Sequence, residues 1–224
     1  MRTQKFFGVE QAPKATGFVV VIDVFRAAST AACALDRGAK EIIPVITIEE
    51  AYAYKETHPS VFLMGEERGV AIPKFDYGNS PFRISTIDLT GMTMVHRTTQ
   101  GTQGIVGAIQ ADTLIFGGFV TAHAIYSLIQ QAAPEIVSFV VLAGAGTEDE
   151  LFADYMIDLL HGKHQDMKKI TQNLRNKFGT SWFFDPNKPE FPEEDFSFCL
   201  NTDVYPFAVV AVRTPYLHLV KRSV

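Results

Sequence analysis

Phe18-Val19-Val20-Val21-Ile22-Asp23-Val24-Phe25-Arg26-Ala27-Ala28-Ser29-Thr30 is the stretch on which the fold turns. A continuous apolar run, long enough for one strand, stops at a carboxylate. An arginine follows three residues later, then a Ser-Thr pair that can start a helix. Unbroken runs of this kind mark strands covered on both faces, as in parallel sheets. In open parallel sheets ligands gather beyond the carboxyl ends of the strands, where Asp23 stands. The same residues also read as an ordinary helix-capping aspartate paired with Arg26 in solvent. The stretch alone weighs evenly between the two.

Outward from it, strand-like and helix-like pieces alternate. Ser29 to Leu35 reads as a short helix, with Gly38 suited to its left-handed stop. Glu41 to Ile46 is β-rich. Thr47-Ile48-Glu49-Glu50 matches a capping box for a helix ending near His58. Val61 to Met64 is a third strand, closed by Gly65-Glu66-Glu67. A long irregular connection runs from Arg68 to about Ile87, and loops of that length in compact domains are usually functional or disordered. Its aromatic and apolar content argues against disorder. Strands follow at Met92 to His96, Thr113 to Phe116 and Ile136 to Leu142, with helices to Gln110 and to Pro134 between them. Thr147-Glu148-Asp149-Glu150 offers a second capping box for a helix through Leu160, and His164 to Phe178 reads as a further amphipathic helix. The tail from Trp182 is rich in Phe and Pro and ends in strand-like Phe207 to Val212 and Tyr216 to Val220. This order predicts one α/β domain over 1–224, with a sheet covered on both faces and antiparallel edge strands from the tail.

Composition narrows the function. With 224 residues, 47% hydrophobic and 20% charged, the chain can bury a sizeable core. A net charge of −5 argues against a broad nucleic-acid surface. No apolar run reaches the ~20 residues of a membrane span, and Met1 to Gly8 lacks the apolar core of a signal peptide. Cys33 and Cys199 make no metal spacing, so a reducing compartment, the cytoplasm, is the simple expectation.

If the strands are parallel, the polar residues after each one meet on a single rim. That set is Asp23 and Arg26, Glu66, Thr98 and Thr99, and Glu148 with Asp149; the long loop adds Asp76, Asn79 and Ser80. Hard cations such as Mg²⁺ take oxygen ligands and keep water or phosphate in their shell. Glycine turns at helix starts offer free N–H groups to anions, and arginine matches phosphate oxygens with a planar fork. Metal-assisted chemistry on a small phosphorylated anion is the reading that uses the whole set. Each part also has a plainer reading: Thr98-Thr99-Gln100-Gly101-Thr102 as a tight turn, Gly78-Asn79-Ser80-Pro81 as a β-turn, Glu148-Asp149 as complements to a helix dipole. The histidines are scattered, and Cys199 reads as core. Phe25 stands where haloacid-dehalogenase phosphatases carry the second aspartate of Asp-x-Asp, which argues against that superfamily.

Four blocks in order carry a resemblance. Ile22-Asp23-Val24-Phe25-Arg26-Ala27-Ala28-Ser29-Thr30 is similar to Ile-Asp-Val-Leu-Arg-Ala-Thr-Ser-Thr of the 2-phosphosulfolactate phosphatases, the ComB family. Gly65-Glu66 with Phe75-Asp76-Tyr77-Gly78-Asn79-Ser80-Pro81 resembles that family's Gly-Glu and Phe-Asp-Leu-Gly-Asn-Ser-Pro. Thr98-Thr99-Gln100-Gly101-Thr102 resembles Thr-Thr-Asn-Gly-Thr, and Glu148-Asp149 with Ala153 resembles a Glu-Asp-x-x-x-Ala-Gly helix start. Asp195-Phe196-Ser197-Phe198-Cys199-Leu200 and Asp203 form a weaker fifth block.

The resemblance implies a three-layer α/β/α fold with a largely parallel sheet. It also implies Mg²⁺-dependent hydrolysis of a phosphate monoester, with 2-phospho-3-sulfolactate converted to 3-sulfolactate on the way to coenzyme M. On that basis Asp23, Glu66, Asp76 and Asp149 are candidates to hold the metal or polarise water. Arg26, Ser29, Thr30, Asn79, Ser80, Thr98, Thr99, Gly101 and Thr102 are candidates to hold phosphate and a second acid group. Asp23, Arg26, Glu66, Thr98 and Thr99 carry the catalytic expectation. Gln100 replaces the family's usual Asn, Thr121 stands where Asn is common, Asp154 replaces a Gly, and Arg68 lies one place beyond an expected Arg. These departures leave two alternatives in view: a phosphatase for another small organophosphate, or an anion-binding homologue without turnover. The Phe-rich tail is a candidate homodimer contact.

Overall fold

Among the residues that the computed structural model describes (1–163, 165–175 and 177–224, the side chains of 178 and 179 aside), ten strands form one sheet. In chain order they are β1 (Arg2–Phe7), β2 (Gly17–Ile22), β3 (Glu41–Val45), β4 (Phe62–Glu67), β5 (Val70–Ala71), β6 (Thr93–Arg97), β7 (Ala111–Gly117), β8 (Ile136–Val141), β9 (Phe207–Val212) and β10 (His218–Ser223). The helices are α1 (Ala27–Asp36), α2 (Ile48–Thr57), α3 (Pro81–Ile84), α4 (Gly101–Gly107), α5 (Ala122–Ala132), α6 (Glu148–Leu160), α7 (Met167–Arg175) and α8 (Glu193–Leu200). No helix among the described residues is long and apolar enough to cross a membrane.

The strand order is β1-β8-β2-β7-β9-β10-β3-β6-β4-β5. β1, β8, β2 and β7 are parallel to one another, as are β3, β6 and β4. The tail strands are antiparallel, as expected, but they are not edge strands. The β9-β10 hairpin sits in the middle, pairing antiparallel with β7 on one side and β3 on the other. Buried Phe207, Ala208, Val209, Val210 and Leu219 explain why: strands this apolar gain more from two neighbours than from an edge. One edge belongs to β1, which the apolar-run pattern did not reveal because its residues are only half-buried.

Along β2 the side chains alternate between two cores. Val19 and Val21 join Ile42, Met64, Met94, Leu114, Phe116, Val140, Val209 and Leu219 around α1 and α4, so both parallel halves contribute to one core. Phe18, Val20 and Ile22 face the opposite way, against α5 to α8. Behind the β3-β6-β4 half, Ile43, Leu63 and Val95 pack on α2. Helices thus cover both faces. Helix α1 is buried almost all round, which its alanines permit by letting the sheet approach closely.

Direction changes across the hairpin, so the two parallel halves run opposite ways in the pairing sequence. Five strand spacings of about 4.8 Å would hold β2 and β6 about 24 Å apart in a flat sheet. Instead α4, which follows β6, touches the end of β2, so the sheet curls around α1 and α4. Convergence of strand ends therefore comes from curvature, not from the single flat parallel rim expected from sequence.

Local chemistry accounts for the helix ends. Thr47 and Glu50 form the expected capping box, with Glu50 N donating to Thr47 Oγ1 at 3.1 Å and Thr47 N to Glu50 Oε2 at 3.0 Å. The second box does not form. Thr147 Oγ1 donates to Gly144 O at 2.7 Å, while Glu150 receives Gly146 N and Lys5 Nζ. Residue 164, where the later amphipathic helix was expected to begin, lies outside the described residues. The described part of that helix runs over Met167–Arg175, residue 176 also lies outside the described residues, and Phe178 belongs instead to a tight 3-10 segment over Phe178–Phe184.

Candidate active site

Asp23 leaves β2 where α1 begins. Its Oδ1 accepts the Ala27 N–H at 2.9 Å, so the capping role is real. Oδ2 faces the first residue of α4: a Cβ at Gly101 would lie 2.6 Å from that oxygen and 2.6 Å from Ala27 Cβ. Only glycine permits this approach. The solvent pairing of Asp23 with Arg26 is not what the chain adopts. Arg26 turns to Asp195 of α8, at 2.8 Å, and both side chains are buried.

Glu66, at the end of β4, ties the opposite wall together. Its Oε1 accepts Thr99 N at 2.6 Å, and its Oε2 accepts Thr99 Oγ1 at 3.0 Å as well as Gly69 N. Thr99 Oγ1 in turn accepts Arg68 N at 2.7 Å. One residue earlier, Thr98 and Thr102 bond each other's backbone: Thr98 N to Thr102 Oγ1 at 2.9 Å, Thr102 N to Thr98 Oγ1 at 3.0 Å. This closed pair sets the turn that aims Thr99 and Gln100.

Asp23, Phe25, Arg26, Glu66, Arg68, Gly69, Asn79, Thr99, Gln100, Trp182 and Phe191 line a cleft of about 190 Å³. Arg26 Nη1 donates to Glu190 O at 2.7 Å and to Asp195, and Nη2 to Gly69 O at 3.3 Å, while its guanidinium lies 4.6 Å from the centre of the Phe191 ring. Among the described residues its remaining N–H groups have no hydrogen-bond partner, so they can meet an anion. Asp195 also accepts Ser80 Oγ at 2.8 Å and Phe82 N at 2.9 Å, so one carboxylate anchors both Arg26 and the start of α3. A second cleft of about 220 Å³ adjoins the first across Arg26, Gly69 and Asn79, and it reaches Asp76, Ser80 and Arg83.

The electrostatics are those of crowded acids. Burial pushes the Asp23 carboxyl up to about 7, the charges of Glu66 and Glu148 add to the rise, and the Ala27 N–H opposes it. Burial also raises Glu148. Asp149 is driven well above the usual carboxylate range by burial and by Glu148 and Asp23, against the pull of Val24 N at 2.8 Å and Ala143 N at 2.9 Å. A cation would relieve this crowding.

Among the described residues no three Asp, Glu, His or Cys side chains gather closely enough to chelate a metal by themselves. Mg²⁺ does not need three, since it commonly takes one or two carboxylates and completes its shell with water and phosphate. Asp23 Oδ2, which has no protein donor among the described residues, would be one such oxygen, and Glu148, whose charge helps raise the Asp23 carboxyl, would be a second; the oxygens of Glu66 and Asp149 each accept at least one protein donor.

The sequence-derived set divides. Asp23, Arg26, Glu66, Asn79 and Thr99 share the cleft wall, and Gly101 lies beneath Asp23. Thr98 and Thr102 are buried below it. Ser29 and Thr30 donate their hydroxyls to carbonyls of the turn that precedes α1, Val24 O and Arg26 O. Ser80 lines the second cleft. Asp76 stands apart from Asp23, receiving Leu63 N at 2.8 Å and Lys55 Nζ at 3.3 Å. Asp149 braces the Asp23 turn through Val24 N. Asp195, Phe191, Trp182, Gln100 and Arg68 were not singled out as site residues. Gln100 and Arg68 carried a signal through their places in and beside the family-like blocks, and Asp195, which follows Glu193 and Glu194, carried one by opening the apolar Asp195-to-Leu200 block.

A family model described as 2-phosphosulpholactate phosphatase matches residues 7–214. A Bacillus subtilis protein named "Probable 2-phosphosulfolactate phosphatase" is 32% identical over 183 residues, covering 80% of each chain. One of the same name from Thermoplasma acidophilum is 31% identical over 189 residues, 82% of this chain and 81% of the relative. Another, from Carboxydothermus hydrogenoformans, is 39% identical over 158 residues, 68% and 62% of the two chains.

Proposed function

Since the chain belongs to the 2-phosphosulpholactate phosphatase family, we propose that its cleft hydrolyses a small anionic phosphomonoester, 2-phospho-3-sulfolactate, to 3-sulfolactate and phosphate, the reaction of the coenzyme M pathway. The observation that carries this reading is the meeting, across one cleft, of a carboxylate with a free oxygen (Asp23), a held arginine (Arg26) and a second, exposed arginine (Arg68).

Phosphoryl transfer depends mainly on positioning and charge neutralisation. Arg26, fixed by Asp195, holds phosphate oxygens, and Asn79 adds N–H donors. Glu66 keeps the Thr99 turn in place without facing the reaction as a free base. Arg68 and the adjoining cleft with Arg83 accommodate the sulfonate and carboxylate end. Mg²⁺ held by Asp23 and Glu148 would supply positive charge to the phosphoryl oxygens and acidify water there. Asp23 keeps the attacking water aligned with the phosphorus. The substrate is a small molecule, and nucleic acid and membrane are no part of this reading. Buried, unpaired Cys33 and Cys199 suit a cytoplasmic enzyme. A homodimer is a separate proposal, which light scattering decides.

Phosphate release from 2-phospho-3-sulfolactate and from other small phosphomonoesters, with Mg²⁺ and with chelator, tests the reading. Mg²⁺-dependent release, strongest on the sulfonated ester, is the expected result. Release only from other esters would discard the substrate. Phosphate binding with no release from any ester would discard the enzyme.

A further inference from the structure

His96 lies in β6, fully buried, between Pro44 and Met64 of the adjoining strands and on the same face as Met94. None of the sequence motifs includes it. Its Nε2 meets Asn79 Oδ1 at 3.2 Å, and its Nδ1 is the one buried side-chain polar atom without a partner among the described residues. Asn79 stands on the wall shared by the two clefts.

These two observations select one arrangement. Burial drives the imidazole pKa down to about 3, so the ring is neutral and has a single N–H. A proton on Nδ1 would bury an unsatisfied donor and set two lone pairs face to face at Nε2 and Oδ1. A proton on Nε2 makes a hydrogen bond to Asn79 and leaves Nδ1 bare, and a bare acceptor is the cheaper group to leave unpaired. With Oδ1 so held, the Asn79 NH₂ group turns away from β6, toward the clefts.

We propose that His96 is a positioning residue: its Nε2–H fixes the Asn79 side-chain amide so that the NH₂ group presents donors to an oxyanion in the cleft. The proposal rests on the functional reading only in taking a phosphorylated anion as occupant. A free asparagine amide rotates and offers oxygen or nitrogen to the cleft alike. An anion tolerates only the nitrogen. Holding the amide from behind removes the repulsive orientation before binding.

Nitrogen NMR of the histidine-labelled chain at neutral pH reads the tautomer directly, with the His96 signals assigned by their loss in His96→Gln. A protonated Nε2 and a bare Nδ1 are expected; the reverse overturns the proposal. In kinetics and in calorimetric titration with inorganic phosphate, His96→Leu should weaken KM and phosphate affinity about five- to tenfold, the size of one lost hydrogen bond. His96→Gln, whose amide nitrogen can replace Nε2, should restore both to within about twofold. In an Asn79→Ala background His96→Leu should cost nothing further. A Gln variant as weak as the Leu variant, or losses that simply add, would overturn the proposal. Absence of turnover on every ester would defeat the functional reading alone, because the tautomer is read without substrate.

Discussion

Arg26 and Asp195 are 169 residues apart in the chain and 2.8 Å apart in the fold, both buried, with no other acid side chain bonded to the arginine among the described residues. The pair joins the turn after β2 to α8, and through Ser80 and Phe82 it also holds α3. A buried pair gains little over an apolar replacement, but removing one partner strands the other charge.

Replacing Asp195 with Ala should therefore destabilise the chain by about 3 kcal/mol or more. The denaturant midpoint measures it. Activity should fall further than stability, because the freed Arg26 no longer aims at the cleft. Asp195→Asn keeps two of the hydrogen bonds and should be milder. An Ala variant as stable as wild type would remove the anchoring role.

Asp23 gives a pH prediction whose sign follows from its raised carboxyl. The folded value of about 7 lies above the 3.8 of an unperturbed aspartate. Protonation thus favours the folded chain: the contribution is fully present below pH 3.8 and is lost as pH rises through about 7. The neutral burial of His96 acts with the opposite sign between about 3 and 6.5, so the Asp23 share is read as a difference. With chelator present, stability should fall less between pH 5 and 8 in Asp23→Asn than in wild type. Parallel pH–stability curves would show that Asp23 titrates normally. At neutral pH the same variant should lose roughly a hundredfold or more in turnover.

Gly101 offers the sharpest steric test. A methyl group there would press on Asp23 Oδ2, Ala27 Cβ and, at 2.9 Å, Phe116 Cζ. Gly101→Ala should cost about 1–3 kcal/mol and displace the Asp23 carboxylate, lowering kcat. The Gly91→Ala control meets no atom within 4 Å, although its φ of +76° carries backbone strain. A Gly101 variant with normal turnover would show that Asp23 has room to move.

Metal binding should be coupled to protons. On the proposed assignment, a Mg²⁺ ion held at Asp23 would compete with the proton that burial and crowding favour there. Calorimetric affinity should thus rise between pH 6 and 8 and flatten above, and Asp23→Asn should abolish the rise. An affinity independent of pH would place the ion elsewhere.

Much of this molecule is written locally. The Val19-to-Ile22 run reads as a strand because both faces are buried, and Asp23 ends it because a carboxylate is costly to bury without hydrogen-bond partners. Thr47 and Glu50 cap a helix through contacts three residues apart. Asp23, Arg26, Glu66, Asn79 and Thr99 carry their signal in residue type and in their place after apolar runs. The half-buried β1 left no such signal. Thr98 and Thr102 look like anion ligands in sequence; in the fold both are buried, and the side-chain oxygen of each accepts the other's backbone N–H.

By itself the sequence determined the α/β alternation, the strand that delivers Asp23, the family resemblance and most of the polar residues around the cleft. The tertiary structure alone decided that the tail hairpin enters mid-sheet, that the sheet curls until α4 meets β2, that Arg26 is held by Asp195, and that His96 holds Asn79. The reason is physical. Periodicity and capping report energies settled within a few residues. Strand order, curvature and buried partners are settled by which distant surfaces close the core with every buried donor matched, and that choice belongs to the whole chain at once.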